Sequence, residues 1–433
     1  MNKIDKVVIN KFWGDKEVNL KFKPDVNFLI GVNGSGKTTI INLIAATLKA
    51  DFATLDRISF EKLQIDLKPQ IVDAKTKKTA SIVVEKTEKT NSPYPNITFK
   101  IKRYQDSDFK KYSLDQLEEE SLIRMKYEYE LQFYRTNIQT KQQERDVNIA
   151  LQELINVSWL SIHRTSAVSK RREERSFESS IDQKIEELQI DMVKYFSQLN
   201  RRYTIETEKF QKYIFESLID VSRDETFAFE KNIDADKEKA ALKQIFMYFK
   251  LNERAVNTKL DNYFKSVNDS LTKLDSRNGL ILTDLVYLIG IRKIHSIVQE
   301  WNKVIEMQKN INKSKETFLT VINSLLQRKE ILINEKNELI VKTQSGKTFP
   351  LTILSSGEKQ LLIILGQSLL QEENVHIYIA DEPELSLHVE WQEKLVVSLK
   401  SLNPNSQIIF ATHSPDIVGE YRDSVIKVEE AIR

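Results

Sequence analysis

Eight residues near the start of the chain constrain it most: Gly31-Val-Asn-Gly-Ser-Gly-Lys37-Thr38. The spacing Gly-x-x-x-x-Gly-Lys-Thr is that of a phosphate-binding loop. Each residue type has a reason. Glycine lets backbone N–H groups turn inward and meet an anion with no Cβ in the way. A helix opening near Lys37 points its positive end at the same spot. Lys37 adds a mobile charge for β- and γ-phosphates, and the Thr38 hydroxyl is placed to ligate Mg2+. Asn33, Gly34, Ser35, Gly36 and Thr39 complete the expected cradle. The apolar run 26–30 enters the loop directly and 38–48 reads as a helix, the strand–loop–helix context that such a loop needs.

The remaining glycines and prolines divide the chain. No proline lies between Pro95 and Pro350, and no glycine between Gly36 and Gly279. A stretch so poor in turn residues suits long helices. Before it, the runs 60–67, 80–86 and 97–104 alternate apolar with polar residues, as in an antiparallel sheet with one wet face. Residues 114–154 read as a charged helix, and 157–162 as one more core strand ending at His163-Arg164. From about 166 to about 334 the pattern is helical. Ile181, Ile185, Leu188, Met192, Phe196 and Leu199 form one stripe, and Phe318, Val321, Ile322 and Leu325 another. The stripes suit a helical hairpin or short coiled coil, and equally a helical subdomain packing its own core.

Beyond residue 334 the pattern changes again. Residues 338–351 read as a β-hairpin turning at Gln344-Ser-Gly346, followed by a helix over 356–370. The runs 375–380 and 407–411 are continuously apolar and flank a helix over 389–402. Continuous apolar strands alternating with helices indicate a parallel sheet covered on both faces. The first strand ends in Asp381-Glu382. An acid at the carboxyl end of a core strand beside a phosphate loop suits Mg2+, which assigns Asp381. The next acid, Glu382, is placed to orient and deprotonate an attacking water. The second strand ends in His413, level with Asp381. Ser356, Gly357 and Glu358 open the intervening helix, as a second anion site or as a plain helix cap. His388 suits a subunit interface; His295 and His376 read as structural.

Composition closes off several chemistries. At 433 residues the chain has room for two or three domains. Lys and Arg (65) nearly balance Asp and Glu (63), so net charge argues neither for nor against nucleic acid. With no cysteine, disulfides, thiolate metal sites and Cys nucleophiles are excluded. The longest apolar run, 361–370, is too short and polar to span a bilayer. A cytoplasmic protein with no membrane partner is expected.

Together these residues resemble the ATP-binding cassette (ABC) superclass. Its phosphate loop matches 31–38, its signature Leu354-Ser-Ser-Gly-Glu-Lys-Gln360, its acidic strand 375–381 with Glu382 as the catalytic glutamate, and its switch histidine His413. The resemblance implies an α/β fold: a P-loop ABC ATPase head with a mixed sheet and an inserted helical, short coiled-coil subdomain. It divides the chain into an amino-terminal lobe (1–165), a helical insertion (166–334) and a carboxyl-terminal lobe (335–433). It implies ATP and Mg2+ as cofactors, with Lys37, Glu382 and His413 catalytic. It further implies a homodimer or higher homo-oligomer, in which Ser356 and Gly357 of one head cap the γ-phosphate held by Lys37 of the other. The runs Asp381-Glu-Pro-Glu-Leu-Ser-Leu-His388 and Ala411-Thr-His-Ser-Pro415 look like the SMC, RecF and OLD (overcoming lysogenisation defect) group. The chain is similar to the stand-alone ATPases of bacterial anti-phage systems such as PARIS and Septu, which act with a separately encoded effector, often a nuclease. The second reading is a RecF- or SMC-like repair ATPase that clamps DNA; Lys170, Arg171, Arg172, Arg175, Arg201 and Arg202 either touch phosphates or, with Glu173, Glu174 and Glu178 interrupting the cluster, form a solvated helix face. No Q-loop is identified, and Arg164 is a candidate nucleotide sensor.

Overall fold

The computed structural model describes residues 1–70, 79–87, 95–113, 145–160, 180–219, 234–250, 253–275, 279 and 281–433. Several expectations lie outside them: the helix over 114–144, the end of the strand beyond residue 160, His163, Arg164, and the cluster Lys170, Arg171, Arg172 and Arg175. The described chain forms two compact units, Met1–Val193 with Thr317–Arg433, and Lys194–Glu316.

In the first unit the expected mixed sheet divides into three. Strands β1 (Asn2–Phe12), β2 (Lys16–Lys21), β3 (Val26–Ile30), β4 (Lys62–Pro69), β5 (Ala80–Thr87), β6 (Asn96–Lys102), β7 (Lys110–Ser113) and β8 (Val157–Leu160) precede the long helices. After them come β9 (Lys329–Ile333), β10 (Leu339–Thr343), β11 (Thr348–Phe349), β12 (Ile377–Asp381), β13 (Gln407–Ala411) and β14 (Val425–Lys427). The first sheet runs β2-β1-β4-β5-β6-β7, antiparallel throughout. The second runs β14-β3-β13-β12-β8, parallel throughout. Strands β11-β10-β9 form a small antiparallel sheet. β4 alternates between buried and half-exposed residues, as a one-sided sheet demands. All residues of β12 and β13 are buried, which is why both read as unbroken apolar runs.

The antiparallel sheet packs on the helix Lys37–Leu48 through one continuous core that includes Ile9, Leu20, Ile40, Ile44, Ile65 and Ile379. A buried amide ties this sheet to the parallel one. Gln407, at the start of β13, accepts from Ile4 N (2.8 Å) and donates to Ile4 O and Lys23 O (2.8 Å each). Ile4 stays in register with Leu67 of β4, and the bulge of β1 lies between Ile4 and Lys6, next to the backbone groups that Gln407 engages.

Register places the chemistry on one edge. Asp381 lies opposite Ala411, and Ala411 opposite Leu29. The carboxyl ends of β3, β12 and β13 are thus level, which is where open parallel sheets hold ligands. At the other edge, His376 precedes β12 with Nε2 2.8 Å from Ser158 Oγ. Burial first, and then the charge of Lys49, lowers its pKa from 6.5 to about 4. The unfolded chain takes up this proton near pH 6.5, whereas the folded chain does so only near pH 4. Stability from this group is therefore complete above pH 6.5 and falls as pH drops through the window. At roughly 1.4 kcal/mol per unit between the two values, the loss approaches about 3 kcal/mol at pH 4. Thermal melts at pH 7 and pH 5 should show a smaller difference for His376→Gln than for the wild type.

Among the described residues the helical expectation fails at its carboxyl end. The helix Leu282–Leu325 ends before Arg328, which takes a left-handed backbone (φ 61°), and β9 follows where the helix was expected to run on to 334. Elsewhere the stripes hold. Ile185, Leu188, Met192, Phe318, Ile322 and Leu325 are all buried. The start of the helix Ser180–Ile219 seats against the helix Ser356–Leu369. Asp182 pairs with Lys359 at 2.7 Å, and Leu188 and Met192 fill the space where Gly366 has no side chain. The second unit contains the helices Ala235–Tyr248 and Glu253–Asp275 and a core around Phe210, Phe264 and Trp301. Its His295 bonds Glu238 at 2.6 Å, in keeping with a structural role. Among the described residues no helix is long and apolar enough to cross a membrane.

Candidate functional site

The loop 31–36 leaves β3 and delivers the chain into the helix Lys37–Leu48. Gly34 (φ 82°) and Gly36 (φ 96°) adopt left-handed backbone that residues with a Cβ resist. Around Gly34 a Cβ would meet nothing within 4 Å, so the loop opens onto free space there. Val32, Asn33, Gly34 and Thr38 are exposed, whereas Gly36 and Lys37 are buried and Ser35 and Thr39 half-buried. Ser35 Oγ is buried without a hydrogen-bond partner among the described residues. An open cradle with an orphaned hydroxyl is what a polyphosphate would complete.

Lys37 Nζ donates to Gly31 O (2.7 Å) and Val32 O (3.0 Å). Burial lowers its pKa, opposed by the charges of Glu429, Glu382 and Asp381. Thr38 Oγ1 lies 3.3 Å from Asp381 Oδ1 across the sheet edge. A hydroxyl and a buried carboxylate so placed fit Mg2+, whose chemistry would be to neutralise charge developing on the phosphates.

Glu382 follows in a left-handed backbone (φ 47°), and its N–H donates to Ala411 O at 2.8 Å. Its Oε1 stands 3.7 Å from His413 Nε2. The structure thus brings Lys37, Thr38, Asp381, Glu382 and His413 to one edge. His388 is exposed, opening the helix Val389–Leu402.

The helix Ser356–Leu369 begins with a complete capping box. Ser355 N donates to Glu358 Oε2 (2.7 Å), and Glu358 N donates to Ser355 Oγ (3.3 Å). Lys329 adds an ion pair to Glu358 at 2.8 Å. Burial opposes the Glu358 charge, but the bonds from Lys329 and Ser355 outweigh it, so its pKa is lowered. The Glu358 carboxylate is therefore engaged within its own chain, while Ser356 is exposed at the helix N-terminus. Gly357 presses on the segment after the acid pair: a Cβ there would collide with Ser386 O.

Two neighbours of the loop escaped sequence reasoning. Trp13, in the turn between β1 and β2, is 43% exposed and stacks on Phe12 at 4.5 Å. Its ring edge lies 3.0 Å from where a Gly36 Cβ would be. An aromatic pair just before a glycine turn was the only available signal. The other is Glu429, on the short helix Val428–Ala431, whose Oε1 accepts from Val32 N at 2.6 Å. Its pKa is lowered by backbone N–H donation from its own residue and from Val32. Nothing local in the sequence marks it.

A phosphate loop, two acids and a histidine gathered at the carboxyl edge of a parallel sheet define a P-loop nucleotide-binding head. The chain belongs to the AAA ATPase domain family, which it matches over residues 2–418. Among curated proteins it is similar to the Retron Vc95 probable ATPase of Vibrio cholerae serotype O1 biovar El Tor, 31% identical over 39% of this chain and 35% of that protein. It is also similar to the Septu protein PtuA of Bacillus thuringiensis, 28% identical over 41% of this chain and 48% of that protein. A DNA double-strand break repair Rad50 ATPase of Sulfurisphaera tokodaii is 28% identical over 28% of this chain and 14% of that protein. The matched segments thus span between about a seventh and about half of these relatives' lengths. Among solved structures, the Smc head domain with an extended coiled coil bound to the C-terminal domain of ScpA, from Pyrococcus furiosus, aligns over 100% of this chain and 98% of that one at 13% identity and a TM-score of 0.43. The expected ATPase class agrees with the family and with the curated relatives.

Proposed function

We propose that this chain is an ATP-driven switch that binds and hydrolyses ATP, assembles head to head when loaded, and controls a separately encoded partner in anti-phage defence. One observation carries the reading: Lys37, Thr38, Asp381, Glu382 and His413 share one sheet edge, while Ser356 stands exposed at a helix N-terminus. In this reading Lys37 and the loop amides from Asn33 to Thr39 hold the phosphates. Thr38 and Asp381 hold Mg2+. Glu382 takes a proton from the attacking water, and His413 contacts the γ-phosphate end. Trp13 offers a flat surface for the base. Ser356 and Gly357 cap the nucleotide of a neighbouring head, positioned by the Glu358 capping box. The anti-phage assignment and the separate effector, for which a nuclease is our expectation, are supported by the likeness to Retron Vc95 and Septu proteins.

Free ATP at 100 times its dissociation constant adds about 2.7 kcal/mol toward the bound state, enough to tip a marginal assembly equilibrium. Lys37→Ala should weaken ATP binding by at least about tenfold, since it removes a charge-assisted contact to phosphate. Fluorescent-nucleotide titration checks this, and unchanged affinity would remove the loop from the reading. The Rad50 likeness favours a second reading, a head that clamps DNA. Arg201 and Arg202, both exposed, are the described part of its basic set. DNA binding that weakens steeply with salt would favour this second reading.

A further inference from the structure

A buried carboxylate outside the reacting set holds the backbone from which His413 projects. Glu384 follows Glu382 by two residues and is only 8% exposed. Its Oε1 accepts from Thr412 Oγ1, from His413 N (3.1 Å) and from Ser414 N (3.3 Å). Its Oε2 is buried with no partner among the described residues. No ion pair to Glu384 occurs among the described residues, so three donors from one short segment, all on Oε1, are what hold this carboxylate. The segment 412–414 cannot shift without stripping donors from a buried carboxylate, which makes one position of the loop strongly preferred.

Glu384 is itself gripped from the other side. Gln360 Nε2 donates to Pro383 O at 3.0 Å in a buried bond. Gly357 lies so close to Ser386 O that no side chain fits between them. Ser386 completes the segment in a left-handed backbone (φ 72°). One chain of contacts thus runs from the helix Ser356–Leu369, through Pro383 and Glu384, to His413.

We propose that Glu384 is a positioning residue: it sets where His413 stands and ties that position to the helix that carries Ser356 and Gly357. The proposal rests on the reading of His413 given above. Its consequence is that the helix engaging a neighbour's nucleotide is joined to the histidine serving the chain's own, so occupancy at one site bears on turnover at the other.

The test is a double-mutant cycle on the full chain with Mg-ATP. Glu384→Ala should lower kcat about 10- to 100-fold with nucleotide affinity held within about threefold, and should cost little more when His413→Ala is already present. Glu384→Gln keeps an oxygen for the three donors and should stay within about threefold of wild-type turnover. A second readout needs no turnover. In histidine 13Cε1-labelled protein, which has five histidines, Glu384→Ala should move or broaden the His413 resonance and leave that of His376 in place. Glu384→Gln should restore the His413 signal. An unmoved His413 resonance, or the same factor lost with and without His413, overturns the proposal. If His413→Ala alone turns over at the wild-type rate, the reading of His413 falls and takes this one with it. If His413→Ala is slow but the two losses multiply, only the Glu384 proposal falls. Should Glu384→Ala not fold, Thr412→Val removes one of the three donors and carries the same cycle.

Discussion

Glu382→Gln leaves ATP binding intact, slows hydrolysis by about 10²- to 10⁴-fold, and traps the loaded assembly. The amide keeps the shape of the side chain but accepts no proton from water. The fold tolerates the change because the residue is only partly buried and its backbone bond to Ala411 O is unaffected. Light scattering behind a sizing column reads the outcome: with ATP and Mg2+ the variant runs at two or more times the mass of its nucleotide-free form, while the wild type returns to its starting mass as ATP is consumed. A variant whose mass ignores ATP would separate nucleotide binding from assembly and end the switch reading.

Ser356→Arg gives the opposite result. The guanidinium enters at an exposed helix N-terminus, so the cost to folding is confined to the helix dipole, about 0.3–1 kcal/mol. Nucleotide affinity stays at the wild-type level because the phosphate loop is untouched. ATP-dependent mass increase disappears, and turnover falls with it, because the added side chain fills the gap that a neighbour's γ-phosphate would enter. Mixing this variant with Lys37→Ala supplies the decisive comparison. Each alone lacks assembly, but a mixed pair contains one complete site, formed by Lys37 of the first chain and Ser356 of the second. Recovery of mass and of part of the turnover on mixing supports a site shared between chains. No recovery at any ratio would place the whole reaction within one chain.

The parts of this site that were legible in the sequence are those made by adjacent residues. The phosphate loop, β12, β13 and the helix Val389–Leu402 follow from short-range rules: glycine spacing, unbroken apolar runs and helical periodicity. β9 was missed because Leu325, Leu326 and Ile331 continue an apolar rhythm with no glycine or proline to break it. The break is a left-handed Arg328, and no rule announces that in an arginine. Glu384, Glu429 and Trp13 were missed for a different reason. Each earns its place through a partner far away in the chain: Glu384 at residues 412–414, Glu429 at Val32, Trp13 beside Gly36. The antiparallel and the parallel sheet were each legible in their apolar patterns, but how they are tied together was not, since Gln407 meets Ile4 from the far end of the chain. Periodicity describes a strand but not its neighbours.

The twisted backbone at Glu382 carries an evolutionary consequence. A glutamate held at φ 47° costs on the order of 1 kcal/mol that asparagine, at home in that conformation, would largely spare. A library of this chain selected only for heat resistance should therefore enrich Asn at position 382 and discard the very side chain assigned to water. Selecting for robustness and selecting for activity would pull this one position in opposite directions.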